Sequence, residues 1–142
     1  MSNIVTPEFA VRDWRKSKHF YCAILGFTCL YERPEEGFCA ISYEEAELML
    51  DQIGLGRSFG SFDLPASGPL GLGVNIQIEV SDITPLLAAL KRARYPLVLP
   101  PEERWYRIGN KEEGNRQFIV ADPDGYLLRF FSDIGTRLWA QA

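Results

Sequence analysis

The chain has a single histidine, His19, and only three cysteines among its 142 residues. Because His19 is the only imidazole and falls in a predicted helix, no Cys–His or Ser–His pair has a plausible general base. The three cysteines are an odd number and lack the spacing of a metal site; they are Cys22, Cys29 and Cys39. We therefore expect free thiols, as in a cytoplasmic protein.

Long apolar runs and an excess of basic charge are also lacking. No apolar stretch approaches the roughly 20 residues that span a bilayer, so we expect no membrane partner. The segment Met1-Ser2-Asn3-Ile4 lacks the basic and then apolar pattern of a signal peptide. The net charge of -4 and the pI of about 5.0 argue against nucleic acid as a partner and permit a cationic one.

Two segments of the chain follow one pattern, a strand that ends in Asp just before a helix. They are Phe9–Asp13 and, 69 residues later, Ile78–Asp82. In the first copy, apolar residues on one helical face continue to Gly26, a natural helix stop. In the second copy, we expect Thr84 to be the N-cap and Pro85 the first-turn proline.

The strands after each helix correspond as well, now 80 residues apart: Phe38–Ile41 with Phe118–Ala121, and Leu48–Leu50 with Leu128–Phe130. The larger offset means that the second copy holds 11 additional residues. The correspondence places this insertion between Pro100 and Gly114.

Each copy is therefore predicted to be a βαβββ module, and the fold class is predicted to be α+β. The first module spans about residues 4–53 and the second about 72–133, while 54–71 is a linker rich in Gly, Ser and Pro. Neither module can bury its sheet face alone. We therefore expect a single domain over residues 1–142, with a curved mixed sheet around a cleft.

Motifs near both ends of the chain resemble those of a known superfamily. Val11-Arg12-Asp13-Trp14, followed by Phe20-Tyr21 and Leu25-Gly26-Phe27, resembles the opening motif of the vicinal-oxygen-chelate proteins: the glyoxalase, bleomycin-resistance and extradiol-dioxygenase superfamily. Asp122-Pro123-Asp124-Gly125-Tyr126 resembles its closing hairpin. The superfamily includes isomerases, dioxygenases, antibiotic-inactivating thiol transferases and non-catalytic drug-binding proteins, so the fold does not settle the function.

The resemblance also implies where a metal would bind. Enzymes of this superfamily hold a divalent ion with His, Glu or Gln from equivalent strands, and the matching positions here are Thr6, Met49, Asn75 and Arg129. A guanidinium stays protonated and has no lone pair to donate, and the other three are poor ligands for such an ion. A register slip would replace Met49 by Asp51, which still makes no metal site. We predict no metal and no cofactor.

The insertion and the following Asn115-Arg116-Gln117-Phe118 resemble the bleomycin-resistance branch. In that branch, paired subunits hold elongated cationic glycopeptides in grooves at the dimer interface and do not alter them. The resemblance implies a homodimer that binds a small ring-bearing molecule and is not an enzyme. Rings would stack on Trp105 and Tyr106, and the other predicted ligand-binding residues are Asp51, Asn75, Glu79, Glu102 and Arg129.

Alternatives stay open for several of these residues. The Trp105–Tyr106 pair is equally expected to pack the insertion onto the sheet. Arg129 either forms an ion pair with Asp51 or Glu79, or anchors an anionic or carbonyl-bearing ligand. The segment Phe59–Phe62 of the linker is expected to cover the cleft or a partner subunit. The functional alternative is a lyase, isomerase or dioxygenase, with or without a metal.

Overall fold

The computed structural model describes residues 4–56 and 64–140. The chain forms two compact units, one made of Met1–Val74 with Asp122–Tyr126, the other of Asn75–Ala121 with Leu127–Ala142. Each unit contains a four-stranded mixed sheet. This arrangement confirms the predicted α+β class with tandem βαβββ modules. No helix in the described part of the chain is long and apolar enough to cross a membrane.

The first unit has the strand order β1-β4-β3-β2, with β1 parallel to β4 and the other pairs antiparallel. The elements are β1 (Glu8–Val11), α1 (Trp14–Lys18), β2 (Thr28–Arg33), β3 (Phe38–Tyr43) and β4 (Ala46–Gln52). Alternating strand residues such as Val11, Ile41 and Leu50 are fully buried and form its core.

Asp13 is the N-cap of α1, and its Oδ1 accepts hydrogen bonds from the backbone N–H of Arg15 and Lys16 at 3.1 and 3.2 Å. It continues as a π-helical segment, His19–Leu25. Phe20 and Tyr21, which are adjacent in this π-helical segment, are both buried. The predicted stop is confirmed, because Gly26 follows with φ of +90°.

The second unit has the order β5-β8-β7-β6, with β5 parallel to β8. Its elements are β5 (Asn75–Glu79), α2 (Thr84–Arg92), β6 (Leu99–Ile108), β7 (Lys111–Ala121) and β8 (Leu127–Leu138). The prediction of Thr84 as N-cap is wrong by one position, since Ile83 is the cap residue. The side chain of Ile83 makes no capping hydrogen bond. Asp82 Oδ1 instead accepts a hydrogen bond from the Thr84 N–H at 2.9 Å, so this N–H at the start of the helix has a partner.

The insertion of the second copy is part of the sheet. It lengthens β6 and β7 into a long hairpin that turns at Gly109–Asn110, and β8 runs beside β7 as far as Leu138. The added residues therefore sit in fixed strand positions with alternating side chains, a more rigid setting than a loop.

The closing motif Asp122–Tyr126 belongs to the first unit, where it contacts the opening motif. Tyr21 Oη donates to Asp122 Oδ2 at 2.7 Å, and Ser17 Oγ donates to Asp124 Oδ2 at 3.3 Å. Tyr126 Oη donates to the Ala10 carbonyl at 2.8 Å. The two motifs noticed in the sequence are thus two halves of one hydrogen-bonded structure.

We expect Tyr21→Phe to destabilise the protein more at pH 8 than at pH 5. Burial raises the pKa of Asp122 to about 6, while the Tyr21 hydroxyl acts to lower it. Because this folded-state pKa lies above the ordinary 3.8, the carboxyl favours folding at low pH, and stability falls as pH rises through about 6. Losing the hydroxyl should cost about 2 kcal/mol when Asp122 is ionised and less when it is protonated.

Urea unfolding at the two pH values measures this difference. Tyr126→Phe is the matched control, because its hydroxyl donates to a neutral carbonyl and its loss should cost about 1 kcal/mol at either pH. An equal loss for Tyr21→Phe at pH 5 and pH 8 would contradict the expected ionisation of Asp122.

Candidate ligand-binding site

One face of the second sheet is polar. Cross-strand pairing sets Gln77 beside Arg129, Glu79 beside Phe131, and Phe131 beside Gln117, so these side chains share a face. The residues between them in the strands point the other way and form the core of this unit: Ile78, Phe118, Val120, Leu128 and Phe130. The polar face is therefore the candidate binding surface of this sheet.

A cavity of about 380 Å³ lies on this face. Its lining contains three carboxylates, two aromatic rings and no Lys or Arg: Gln77, Glu79, Tyr106, Ile108, Glu113, Asn115, Phe131 and Asp133. The lining thus combines negative charge with flat apolar surface. Such a combination suits a ligand that carries both a ring and a positive charge.

Deeper on the same face, Arg129 and Gln117 meet at the hydroxyl of Tyr106. Gln117 Nε2 lies 2.7 Å from Tyr106 Oη, and Arg129 Nη1 lies 3.4 Å from it. Arg129 is hydrogen-bonded to this phenol and not to the carboxylate of Glu79, one of the two ion-pair partners predicted from the sequence. The other predicted partner, Asp51, belongs to the first unit. Arg129 Nε and Gln117 Oε1 are buried and have no hydrogen-bond partner.

Trp105 and Tyr106 lie on opposite faces of β6, as adjacent strand residues must. The Trp105 ring packs on Gly114, where an added Cβ would come within 2.8 Å of Cη2. The Arg137 guanidinium covers the ring at 4.1 Å, and Glu112 holds that guanidinium through Oε1 at 3.2 Å. Tyr106 lines the cavity and Trp105 does not. A ligand role for Trp105 stays a prediction.

The remaining predicted residues of this unit lie on the polar face, outside the cavity lining. Glu102 is half-buried on β6 and is paired with Gln117. Asn75 is exposed at the start of β5 and is paired with Leu127. A ligand role for Glu102 and Asn75 stays a prediction.

Asp51 lines a separate cavity in the first unit, also of about 380 Å³. The lining is Glu8, Tyr31, Arg33, Glu36, Phe38, Met49, Asp51 and Gly56. Burial, and then the neighbouring Asp51 carboxylate, raise the pKa of Glu8. Burial, and then Glu36, raise that of Asp51. Glu8 was not among the predicted site residues; the pairing of β1 with β4 places it beside Met49.

The four positions where relatives would bind a metal do not fit a divalent ion. Met49 and Arg129, the strand neighbours of Glu8 and Gln77, offer a thioether and a guanidinium, and neither group is a ligand for a hard divalent ion. Thr6 and Asn75 offer only a hydroxyl and an amide. Within residues 4–56 and 64–140, no group of three His, Cys, Asp or Glu is arranged to hold a metal ion.

We expect the purified protein to contain no stoichiometric transition metal, because Arg129 places a fixed positive charge and no lone pair at a required ligand position. Elemental analysis after dialysis against nickel, zinc, iron and manganese salts checks this. Retention of about one ion per chain, abolished by Glu8→Gln, would contradict the expectation and indicate an altered metal site.

Comparisons with known proteins find relatives by sequence and solved structures with the same fold. A curated bleomycin resistance protein from Geobacillus stearothermophilus is 31% identical over 138 residues, covering 90% of this chain and 95% of the relative. Among solved structures, TioX from Micromonospora sp. ML1 superposes with a TM-score of 0.66 at 19% identity, covering 94% of this chain and 100% of that one.

An enzyme shares the fold as well. Lactoylglutathione lyase from Agrobacterium tumefaciens superposes with a TM-score of 0.60 at 16% identity, covering 93% of this chain and 94% of that one. The family model described as the Glyoxalase/Bleomycin resistance protein/Dioxygenase superfamily matches residues 3–130. Together with the tandem βαβββ modules, this match shows that the protein belongs to the glyoxalase/bleomycin resistance protein/dioxygenase superfamily.

Proposed function

We propose that this protein binds a small, ring-bearing cationic ligand of the bleomycin kind and sequesters it unchanged, without a metal ion. The observation that carries the proposal is the cavity of the second unit, in which Tyr106 and Phe131 stand among three carboxylates. The resemblance to bleomycin resistance proteins supports the choice of ligand. Arg129 at the expected metal position supports binding over metal-assisted catalysis.

The binding energy in this proposal comes mainly from the rings. Glu79, Glu113 and Asp133 are exposed, so water and salt screen them, and each should contribute less than about 1 kcal/mol. Stacking on an aromatic ring adds about 1 kcal/mol beyond the area buried. The carboxylates select the sign of the ligand's charge and speed its approach.

Calorimetry with metal-free bleomycin, with and without added divalent metal, tests the proposal. We expect binding that needs no metal and weakens with salt. Glu113→Gln should weaken it a few-fold at low salt. Glu103→Gln is the matched control, because Glu103 is an exposed carboxylate on the other face of β6 and outside the cavity lining. No binding, or binding that requires metal, would refute the proposed function.

The proposed binding protein is a homodimer. Leu72 and Leu138 are 75% and 74% exposed, and Val74 and Val98 are more than half exposed. Covering such side chains at a subunit interface would remove apolar surface from water. The apolar segment Phe59–Phe62, on which the prediction also drew, lies outside the described residues. Light scattering should give twice the chain mass of 16.1 kDa. A mass near 16.1 kDa at all micromolar concentrations would contradict the dimer.

We also propose that the protein acts in the cytoplasm. Cys22, Cys29 and Cys39 are free thiols, and reduced thiols suit that compartment. Burial raises the pKa of Cys39 to about 12, so this thiol is unreactive at neutral pH.

The first unit supports a second candidate function, metal-free isomerisation by proton transfer. Glu8 and Asp51 share a cavity and both have a raised pKa, as a general base requires. Incubation with the hemithioacetal of methylglyoxal and glutathione, in the presence of chelator, tests this candidate. Turnover that Asp51→Asn abolishes would support it, and the absence of turnover would exclude this substrate.

A further inference from the structure

We propose that Tyr106 covers a hydrogen-bonding pair, Arg129 Nε and Gln117 Oε1, and that this pair binds an amide group of the ligand when the phenol ring turns aside. The inference rests on the proposed binding function, because it extends the cavity of the second unit inward from Tyr106.

Neither atom of the pair has a hydrogen-bond partner among the described residues. Among the described residues only three buried side-chain atoms lack a hydrogen-bond partner, and two of them are Arg129 Nε and Gln117 Oε1. Each such atom costs about 1–3 kcal/mol relative to a paired one. Rotating the Gln117 amide would exchange its oxygen and nitrogen and still leave one of them unpaired. Arg129 Nε remains a donor that needs an acceptor oxygen in either case.

The two headgroups are close together, because both reach the same atom. Gln117 Nε2 and Arg129 Nη1 lie 2.7 and 3.4 Å from Tyr106 Oη. Gln117 Oε1 and Arg129 Nε belong to these same two headgroups, and in the proposal one amide group contacts both atoms. Gln117 is 3% exposed, so its amide is held by the surrounding structure.

Tyr106 is the cavity-lining residue that is hydrogen-bonded to this pair. Its backbone is paired with Glu113, four positions along β7 from Gln117, so its ring must lie along the sheet to bring the hydroxyl to the pair. Tyr106 is half-buried on the edge strand β6. A turn of this one side chain would join the buried pair to the cavity.

The chemistry of the pair favours an amide over a carboxylate. An amide carbonyl accepts from Arg129 Nε while its N–H donates to Gln117 Oε1, so both unpaired atoms gain a partner. A carboxylate satisfies the guanidinium and leaves the Gln117 oxygen unpaired. It would also bring a negative charge next to the carboxylates of the cavity.

Three small aromatic probes test the inference on the whole protein by NMR: benzamide, benzoate and benzylammonium. The readout is the Arg129 Nε–Hε signal, which burial should protect from exchange. Benzamide should shift this signal, and benzylammonium should shift signals of the acidic cavity without moving it. An unmoved Arg129 signal at saturating benzamide, or tighter binding of benzoate than of benzamide, would overturn the proposal.

Two variants distinguish whether the Tyr106 hydroxyl covers the pair or itself binds the ligand. Tyr106→Phe removes the hydroxyl that occupies the pair, so benzamide should bind about fivefold tighter, the equivalent of one hydrogen bond of about 1 kcal/mol. Adding Gln117→Leu should abolish that gain. Weaker benzamide binding by Tyr106→Phe would mean that the hydroxyl itself holds the ligand, which contradicts the proposal. Dispersed amide spectra show that each variant is folded.

These results are independent of bleomycin. If bleomycin fails to bind while benzamide moves the Arg129 signal, the proposed function fails and the amide site stands. If bleomycin binds while benzamide leaves the signal unchanged, the amide site fails alone.

Discussion

Gly125→Ala is expected to lower the free energy of unfolding by about 3 kcal/mol, whereas Gly26→Ala should lower it by about 1 kcal/mol. Both glycines have a left-handed φ, +87° and +90°, so both substitutions carry the same backbone penalty. They differ in what the added methyl group would meet.

At Gly125 an added Cβ would lie 2.5 Å from Pro69 Cβ and 2.8 Å from Pro69 Cα. Pro69 has little freedom to move, since its ring is rigid and the next residue, Leu70, donates its N–H to the Asp124 carbonyl at 2.7 Å. At Gly26 nothing lies within 4 Å of the added atom. The difference between the two variants therefore isolates the steric contact.

Urea unfolding of the two variants beside the parent protein gives this difference directly. Equal losses would show that the Asp122–Tyr126 turn can shift away from Pro69. The close packing of the closing motif would then be unimportant for stability.

Tyr106→Ala is expected to weaken bleomycin binding by roughly thirtyfold, because truncation of a central aromatic contact costs about 2 kcal/mol. The ring lines the cavity among the carboxylates, so its loss removes the stacking surface. The expectation concerns the aromatic ring and not the hydroxyl, so Tyr106→Phe should not weaken bleomycin binding.

Trp105→Ala is the matched comparison on the same strand. Its ring packs on Gly114 under Arg137, so the substitution should lower the melting temperature and change the affinity less than about twofold. A thirtyfold loss of affinity at an unchanged melting temperature would instead support the binding role that the sequence predicted for Trp105. Calorimetry and thermal unfolding on each sample distinguish the two results.

The repeat was the most reliable guide to the fold. The offset between Asp13 and Asp82 predicted the two modules, because each copy carries the same local signals for a strand, a helix and a helix stop. The position of Gly26 was predicted for the same reason, since only glycine readily takes the left-handed conformation there.

Features that depend on register could not be predicted in the same way. The choice between Trp105 and Tyr106 is a matter of strand parity, and a shift of one residue exchanges the faces. The register of β6 is set by its pairing with Gly114 and Glu113 of β7, and the sequence of β6 alone does not reveal that pairing. The meeting of Arg129 and Gln117 at Tyr106 also requires three strands in alignment, which one strand's pattern does not reveal.

Because Asp122–Tyr126 is part of the first unit, the order of synthesis limits when that unit can fold. On the ribosome, Met1–Val74 emerges first, yet the segment that supplies the Asp122 carboxylate to Tyr21 follows only after Asn75–Ala121 has been synthesised. The first copy of the repeat therefore cannot complete its native hydrogen bonds during its own translation. A gene truncated in the linker would therefore encode an incomplete folding unit.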